Sequence, residues 1–156
     1  MKLEIGTKAP LFELTDSEKQ TVKLTDHLGK NVVLLFFPAA FTGTCTKEMC
    51  QTRDELSTYN NMNAQVFGIS VDMPFTLKKF KEEQNLNFSL LSDFNKEVGS
   101  AYGCLYEKWI LGLKGVDKRS SFVIDKAGIV RFAEILENAS DYPNFEAIKK
   151  TLESLK

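Results

Sequence analysis

A run of six apolar residues, Val32 to Phe37, closed by Pro38, constrains this chain more than any other feature. The run does not alternate apolar with polar, so neither face of the strand it forms can meet water. A strand covered on both faces belongs in the middle of a parallel or mixed sheet. Such a sheet needs crossover connections, because parallel neighbours cannot be joined by a tight turn. The run is also far too short to span a bilayer, which takes about 20 residues. The sequence downstream supplies the crossovers. Thr46 to Met62 carries good helix formers with neither Pro nor Gly, Gln65 to Val71 is β-branched and apolar, and Pro74 to Gln84 is amphipathic, with Pro at a favoured helix-entry position. Strand, helix, strand, helix is the order of a βαβ layer.

Shorter signals surround this layer. Thr21 to Leu24 alternates like a short edge strand. Asn87 to Leu91 reads as a short strand and Asn95 to Tyr102 as a helix ended by Gly103. Ser121 to Ile124 and Ile129 to Ile135 read as strands joined by the turn Asp125-Lys126-Ala127-Gly128. Tyr142 to Leu155 closes the chain as a helix, with Phe145, Ile148, Leu152 and Leu155 on one stripe. Two parallel crossovers, a hairpin and a terminal helix predict an α/β, thioredoxin-like fold, a central mixed β-sheet flanked by helices. No repeat or linker interrupts the 156 residues, so one domain over 1–156 is expected. Lys plus Arg (20) nearly balances Asp plus Glu (21), which leaves no electrostatic footprint for nucleic acid or an anionic membrane. The N-terminus lacks the basic and apolar regions of a secretory signal. Three cysteines, an odd number, fit a cytoplasmic protein, in which a lasting disulfide is not expected but a transient, catalytic one is allowed.

The chemistry concentrates where the buried strand hands over to a helix, in Phe36-Phe37-Pro38-Ala39-Ala40-Phe41-Thr42-Gly43-Thr44-Cys45-Thr46-Lys47-Glu48-Met49-Cys50. Cys45 falls in the first helical turn, where unpaired backbone N–H groups and the positive end of the helix dipole stabilise an anion. Thiolates at such positions are the reactive form of cysteine. Gly43 is expected to let the backbone bend closely around the site, Thr42 places a hydroxyl three residues before the sulfur, and Pro38 stiffens the chain and can shield the sulfur from water. Residue type alone leaves the alternative that Cys45 is an inert, buried thiol.

The spacing Pro38-x-x-x-Thr42-x-x-Cys45 after an apolar strand resembles the active-site motif of the peroxiredoxins. The resemblance runs over roughly residues 3 to 135, through Gly6-x-x-Ala9-Pro10-x-Phe12 and Arg119-Ser120-Ser121-Phe122-Val123-Ile124-Asp125. In the latter the family places its second catalytic residue, an Arg just before a strand. Phe41-Thr42-Gly43-Thr44-Cys45, Leu91-Ser92-Asp93 and Ile129 to Glu134 are similar to the one-cysteine alkyl hydroperoxide reductase E group. Cys45-Thr46-x-Glu48-x-Cys50 is similar to the bacterioferritin comigratory (PrxQ) group, whose resolving cysteine lies five residues after the peroxidatic one. The resemblance implies a thiol peroxidase in which Cys45 attacks hydrogen peroxide or an alkyl hydroperoxide and becomes a sulfenic acid. It implies donors fixed around the displaced oxygen, namely the backbone N–H of Cys45 and of a residue just before it, the Thr42 hydroxyl and the Arg119 guanidinium. Pro38 is the site residue that lacks a donor N–H and shields the sulfur, Glu48 is the supporting residue that orients Arg119 or simply faces water near the helix start, and Cys50 is the resolving cysteine. Thioredoxin or glutaredoxin is the implied reductant, with no cofactor and no metal.

Three alternatives stay open at this point. Cys50 can be a core residue of the same helix, with Cys45 resolved by an external thiol. On one regular helix the two cysteines sit roughly 8.7 Å apart between Cα atoms. A disulfide needs about 7 Å or less, so the first turns must unwind before the bond can form. The chain can instead be a redox-sensing module or a thioredoxin-like protein disulfide oxidoreductase, although the latter usually carries Cys-x-x-Cys. A zinc site from three scattered cysteines and His27 fits no ligand spacing. Cys104 reads as packed core, His27 as an exposed loop residue and Trp109 as core or interface. The apolar segment 104–116 suits a homodimer interface, although PrxQ-like members can be monomers.

Overall fold

The computed structural model of the protein describes residues 3–156. Seven strands form one mixed sheet: β1 (Glu13–Asp16), β2 (Thr21–Lys23), β3 (Asn31–Phe36), β4 (Ala64–Ser70), β5 (Ser89–Ser92), β6 (Ser120–Ile124) and β7 (Val130–Ile135), in the order β2-β1-β5-β4-β3-β6-β7. The doubly apolar run is the hub. β3 pairs parallel with β4 on one side and antiparallel with β6 on the other, and every one of its residues is buried. Its period of two sends Val33 and Leu35 into one core with Met49, Tyr59, Phe80 and Ile148, and Val32, Leu34 and Phe36 into a second core with Tyr102, Cys104 and Phe122.

Five helices cover the sheet: α1 (Gly43–Asp54), α2 (Leu56–Asn61), α3 (Pro74–Glu83), α4 (Glu97–Ala101) and α5 (Phe145–Ser154). The expected elements are present with ends moved by a few residues, and three findings differ in kind. The helix expected over 46–62 is two helices. Its backbone breaks at Glu55 (φ −103°, ψ 7°), which re-aims α2 so that Tyr59 enters the core while Glu55 reaches Lys149 of α5 at 2.7 Å. Strand β1 was not expected: it is four residues long with an exposed to half-buried pattern, it pairs with β2 and β5, and only its Leu14 packs against a core. His27 is half-buried rather than exposed, its ring packed edge-on against Phe67 at 4.9 Å, and burial pulls its pKa down.

Gly68 of β4 sets how closely α1 approaches the sheet. A Cβ there would lie 2.7 Å from Leu90 Cδ2 and 3.2 Å from Met49 Sδ, both side chains being fully buried. Gly68→Ala is therefore expected to lower unfolding stability by about 1–3 kcal/mol through overpacking, read as an earlier urea midpoint with an unchanged slope.

Candidate active site

Helix α1 begins three residues earlier than the sequence suggests, so Cys45 is its third residue, well inside the first turn. No acidic residue occupies that turn, so nothing cancels the positive helix end beside the sulfur. The sharp turn into the helix is made by Phe41, a non-glycine residue at φ 68°, and not by Gly43, whose backbone is ordinary and whose surroundings are open. Phe41 is held in this strained conformation by packing on Phe80 at 5.2 Å and by its neighbour Ala40, whose N–H donates to Asp72 Oδ2 at 2.8 Å.

Arg119, the residue just before β6, reaches across to α1. Its Nη2 donates to Cys45 Sγ at 3.3 Å and to the Ala139 carbonyl at 2.9 Å, and its Nη1 donates to Glu48 Oε1 at 2.5 Å. All three side chains are essentially sealed from water: Cys45 and Arg119 are 1% exposed and Glu48 0%. Burial alone would depress the Arg119 pKa, but Glu48 and then Cys45 hold it above its ordinary value. Burial pushes Glu48 up to about 7, against the pull of Arg119. The expected alternative that Glu48 faces water is thus excluded by the structure. The Thr42 hydroxyl donates to the Ala39 carbonyl at 2.7 Å. Its hydrogen is committed there, so toward the cleft that Thr42 lines it offers a lone pair rather than the donor expected from sequence.

A cleft of about 410 Å³ opens over this group, lined by Thr42, Gly43, Thr44, Cys45 and Arg119 on one side and by Tyr106, Trp109, Ile110 and the 137–140 segment on the other. This segregation of a buried Cys–Arg pair, a helix N-terminus and a cleft accords with the family comparison: residues 5–133 match the AhpC/TSA family. The chain belongs to that family. It is 42% identical over 136 residues to alkyl hydroperoxide reductase E of Mycobacterium bovis, covering 85% of this chain and 86% of that one. It is 40% identical over 130 residues to peroxiredoxin Bcp of Bacillus subtilis, covering 82% of each. Among solved structures, the peroxidoxin BcpB of Mycobacterium tuberculosis superposes with a TM-score of 0.87 at 32% identity over 99% of both chains.

Within this AhpC/TSA chain the other expected site residues are placed less centrally. Pro38 is buried at the end of β3 and does not line the cleft. Cys50 is half-buried on another side of α1, its thiol donating to Gln84 Oε1 at 3.4 Å. Cys104 is packed in the second core, as expected, and burial, reinforced by the charge of Asp117, pushes its thiol far up. All three cysteines are free thiols. Sequence reasoning missed the far wall of the cleft. Trp109 lines it and stacks on Tyr106 at 6.0 Å, while the Tyr106 hydroxyl donates to the Glu137 carbonyl at 2.7 Å. The Ala139 carbonyl that fixes Arg119 is a backbone group in a loop, and no residue type announces it. Among the described residues no group of His, Cys, Asp or Glu is arranged to hold a metal ion, and no helix is long and apolar enough to cross a membrane.

Proposed function

We propose that this protein is a thiol peroxidase whose peroxidatic residue is Cys45, reducing hydrogen peroxide and organic hydroperoxides. The single observation that carries this reading is the Cys45 sulfur, sealed against the Arg119 guanidinium at 3.3 Å at the floor of a cleft on the α1 N-terminus. A cation and the free N–H groups of the first turn attract the thiolate, the nucleophilic form. The thiolate attacks one peroxide oxygen, an S–O bond forms as the O–O bond breaks, and negative charge passes to the departing oxygen. Arg119 Nη2 and the N–H groups of Thr44 and Cys45 border the path of that charge, fixed before the reaction begins. The lone pair of Thr42 accepts the peroxide hydrogen and so selects its orientation. Pro38 acts from behind, stiffening the strand end that leads into the site.

The cleft is far larger than hydrogen peroxide, which fills roughly the space of two waters, about 60 Å³. Its Tyr106, Trp109 and Ile110 wall suits an organic group attached to the peroxide. Cys50 resolves the sulfenic acid by forming a disulfide with Cys45. The two thiols face different partners, Arg119 and Gln84, so α1 must unwind before they meet. A dithiol protein of the thioredoxin or glutaredoxin kind reduces that bond, and the free cysteines suit the reducing cytoplasm. Ile110 of the cleft wall and its neighbour Leu111, exposed by 61% and 90%, offer an apolar face to a second copy. The Cys50–Gln84 bond, which anchors that thiol away from the cleft, favours a second reading in which an external thiol resolves Cys45.

Treating the reduced protein with one equivalent of hydrogen peroxide and mapping the product by mass spectrometry tests both. A Cys45–Cys50 bond is expected in the wild type, an oxidised Cys45 without the bond in Cys50→Ser, and neither in Cys45→Ser. A stable sulfenic acid in the wild type transfers resolution to an external thiol. An unmodified Cys45 removes the peroxidase reading.

A further inference from the structure

Arg119 is one sealed guanidinium facing two acids, the Glu48 carboxyl on Nη1 and the Cys45 thiol on Nη2. With one acid ionised the group is neutral; with both it carries a net negative charge, which a buried site penalises. Peroxide reduction turns the thiolate into a neutral sulfenic acid, so the group needs a replacement anion. The reaction also consumes a proton, because the departing oxygen leaves as an alcohol or as water.

Resting on the reading of Cys45 as the peroxidatic thiolate, we propose that Glu48 is the proton store of this step, protonated while Cys45 is a thiolate and ionised once Cys45 is a sulfenic acid, with Tyr59 and Glu55 as its path to solvent. The balance is Cys45–S⁻ + Glu48–COOH + ROOH → Cys45–SOH + Glu48–COO⁻ + ROH. Sulfur loses two electrons to the O–O bond, and the charge of the sealed group is the same before and after.

The geometry fixes the side on which the proton leaves. Glu48 does not line the cleft, so the departing oxygen takes its proton from solvent water in the cleft while Glu48 returns one to solvent on the other side, with the net balance unchanged. The other carboxyl oxygen, Oε2, is buried with no protein partner. The Tyr59 hydroxyl of α2, in the same core and 0% exposed, also has none. Burial pushes the phenol pKa up, followed by the charges of Glu55 and Glu48, so this hydroxyl lies in the field of both carboxyls. Glu55 is 30% exposed and is paired with Lys149 of α5 at 2.7 Å, which brings the line to the surface. Glu48 thus meets Arg119 from the β6 side, Cys45 lies three residues earlier on its own helix, and Tyr59 of α2 lies within its field. Its position near 7 leaves it able to exchange a proton at neutral pH. Glu48 and Tyr59 are positioning residues here, since neither touches the peroxide.

Infrared difference spectroscopy of the Cys50→Ser protein, oxidised minus reduced, reads this directly at about pH 6.5, with the mass of Cys45 monitored in parallel. Oxidation is expected to remove a protonated-carboxyl C=O band, approaching one carboxyl per Cys45 oxidised, and to add a carboxylate band. Glu48→Gln is expected to abolish the feature. Tyr59→Phe, which keeps the ring and the packing, is expected to keep the band but shift it and slow its exchange with deuterated water. A sulfenic acid at Cys45 with no carboxyl change overturns the store while leaving the peroxidase reading intact. A band that survives in Glu48→Gln also overturns it, an unshifted band in Tyr59→Phe removes the path, and a Cys45 that does not oxidise defeats both readings.

Discussion

Replacing Arg119 with Met is expected to slow the reaction of Cys45 with peroxide by about 10²–10³-fold, the usual loss when one preorganised donor is removed from a developing negative charge. The guanidinium acts twice at the same atom. In the ground state it faces the sulfur at 3.3 Å, and along the reaction path it receives the charge that leaves the sulfur. Met has similar length and no charge, so it fills the volume while removing both effects. Stopped-flow measurement of sulfenic acid formation checks this, and a variant that reacts within a factor of three of wild type sinks the role given to Arg119.

The same change is expected to cost about 3–5 kcal/mol of stability at pH values where Glu48 is ionised, because it strands a carboxylate in a buried site, and less below neutrality, where Glu48 is protonated. The pair itself is worth little net, since both ions gave up water to form it. The double variant Arg119→Met/Glu48→Gln is therefore expected to recover most of the lost stability while staying as slow as the single one. Denaturation midpoints separate the two contributions: stability that does not return in the double variant means that Arg119 was holding packing rather than charge.

Much of this site was legible in the sequence because its chemistry is carried by residue types at fixed spacings. The Val32–Phe37 run could only be a central strand, and β3 does feed both cores. Cys45 lay at the expected strand-to-helix junction, and Arg119 ahead of the expected strand. Three-dimensional facts were not legible. The bend into α1 was assigned to Gly43 because glycine usually makes such turns, whereas Phe41 makes it, fastened by long-range contacts to Phe80 and, through Ala40, to Asp72. Thr42 looked like a donor because a hydroxyl is both donor and acceptor, and only the position of the Ala39 carbonyl decides which remains free. The far wall at Tyr106 and Trp109 and the Ala139 carbonyl come from chain distant in sequence, with no motif to mark them. The break at Glu55 was hidden because nothing local forces it; the benefit lies in Tyr59 entering the core and Lys149 meeting the carboxylate.

The buried carboxyl of Asp117 gives the other large expected effect, on stability as a function of pH. Asp117 is 0% exposed, and its Oδ1 receives only the weak Cys104 thiol at 3.9 Å. Its Oδ2 has no protein partner, and no cation pairs with it among the described residues. Burial, and then the charge of Asp93, holds its pKa well above the ordinary carboxyl range. A carboxyl whose pKa is raised on folding adds protons to the folded state, so its contribution is intact below the unfolded pKa and is lost as pH rises toward the folded one. The wild type is thus expected to lose stability above about pH 4, at up to about 1.4 kcal/mol per pH unit for this group. Glu48 adds to the loss in the same direction, but only up to about 7. Asp117→Asn keeps the shape and cannot ionise. Its stability is expected to match wild type near pH 4, to keep the Glu48 slope below neutrality, and to exceed wild type by a margin that widens as pH rises toward the folded-state pKa of Asp117. The effect reaches the active site, because Asp117 pins the base of the chain that carries Tyr106 and Trp109, bridged to Leu105 and followed by Lys118, whose N–H donates to the Cys104 carbonyl at 2.6 Å. Urea midpoints measured from pH 4 to pH 9 decide the matter: parallel curves for the two proteins would mean that Asp117 does not titrate on unfolding and that something else holds that loop.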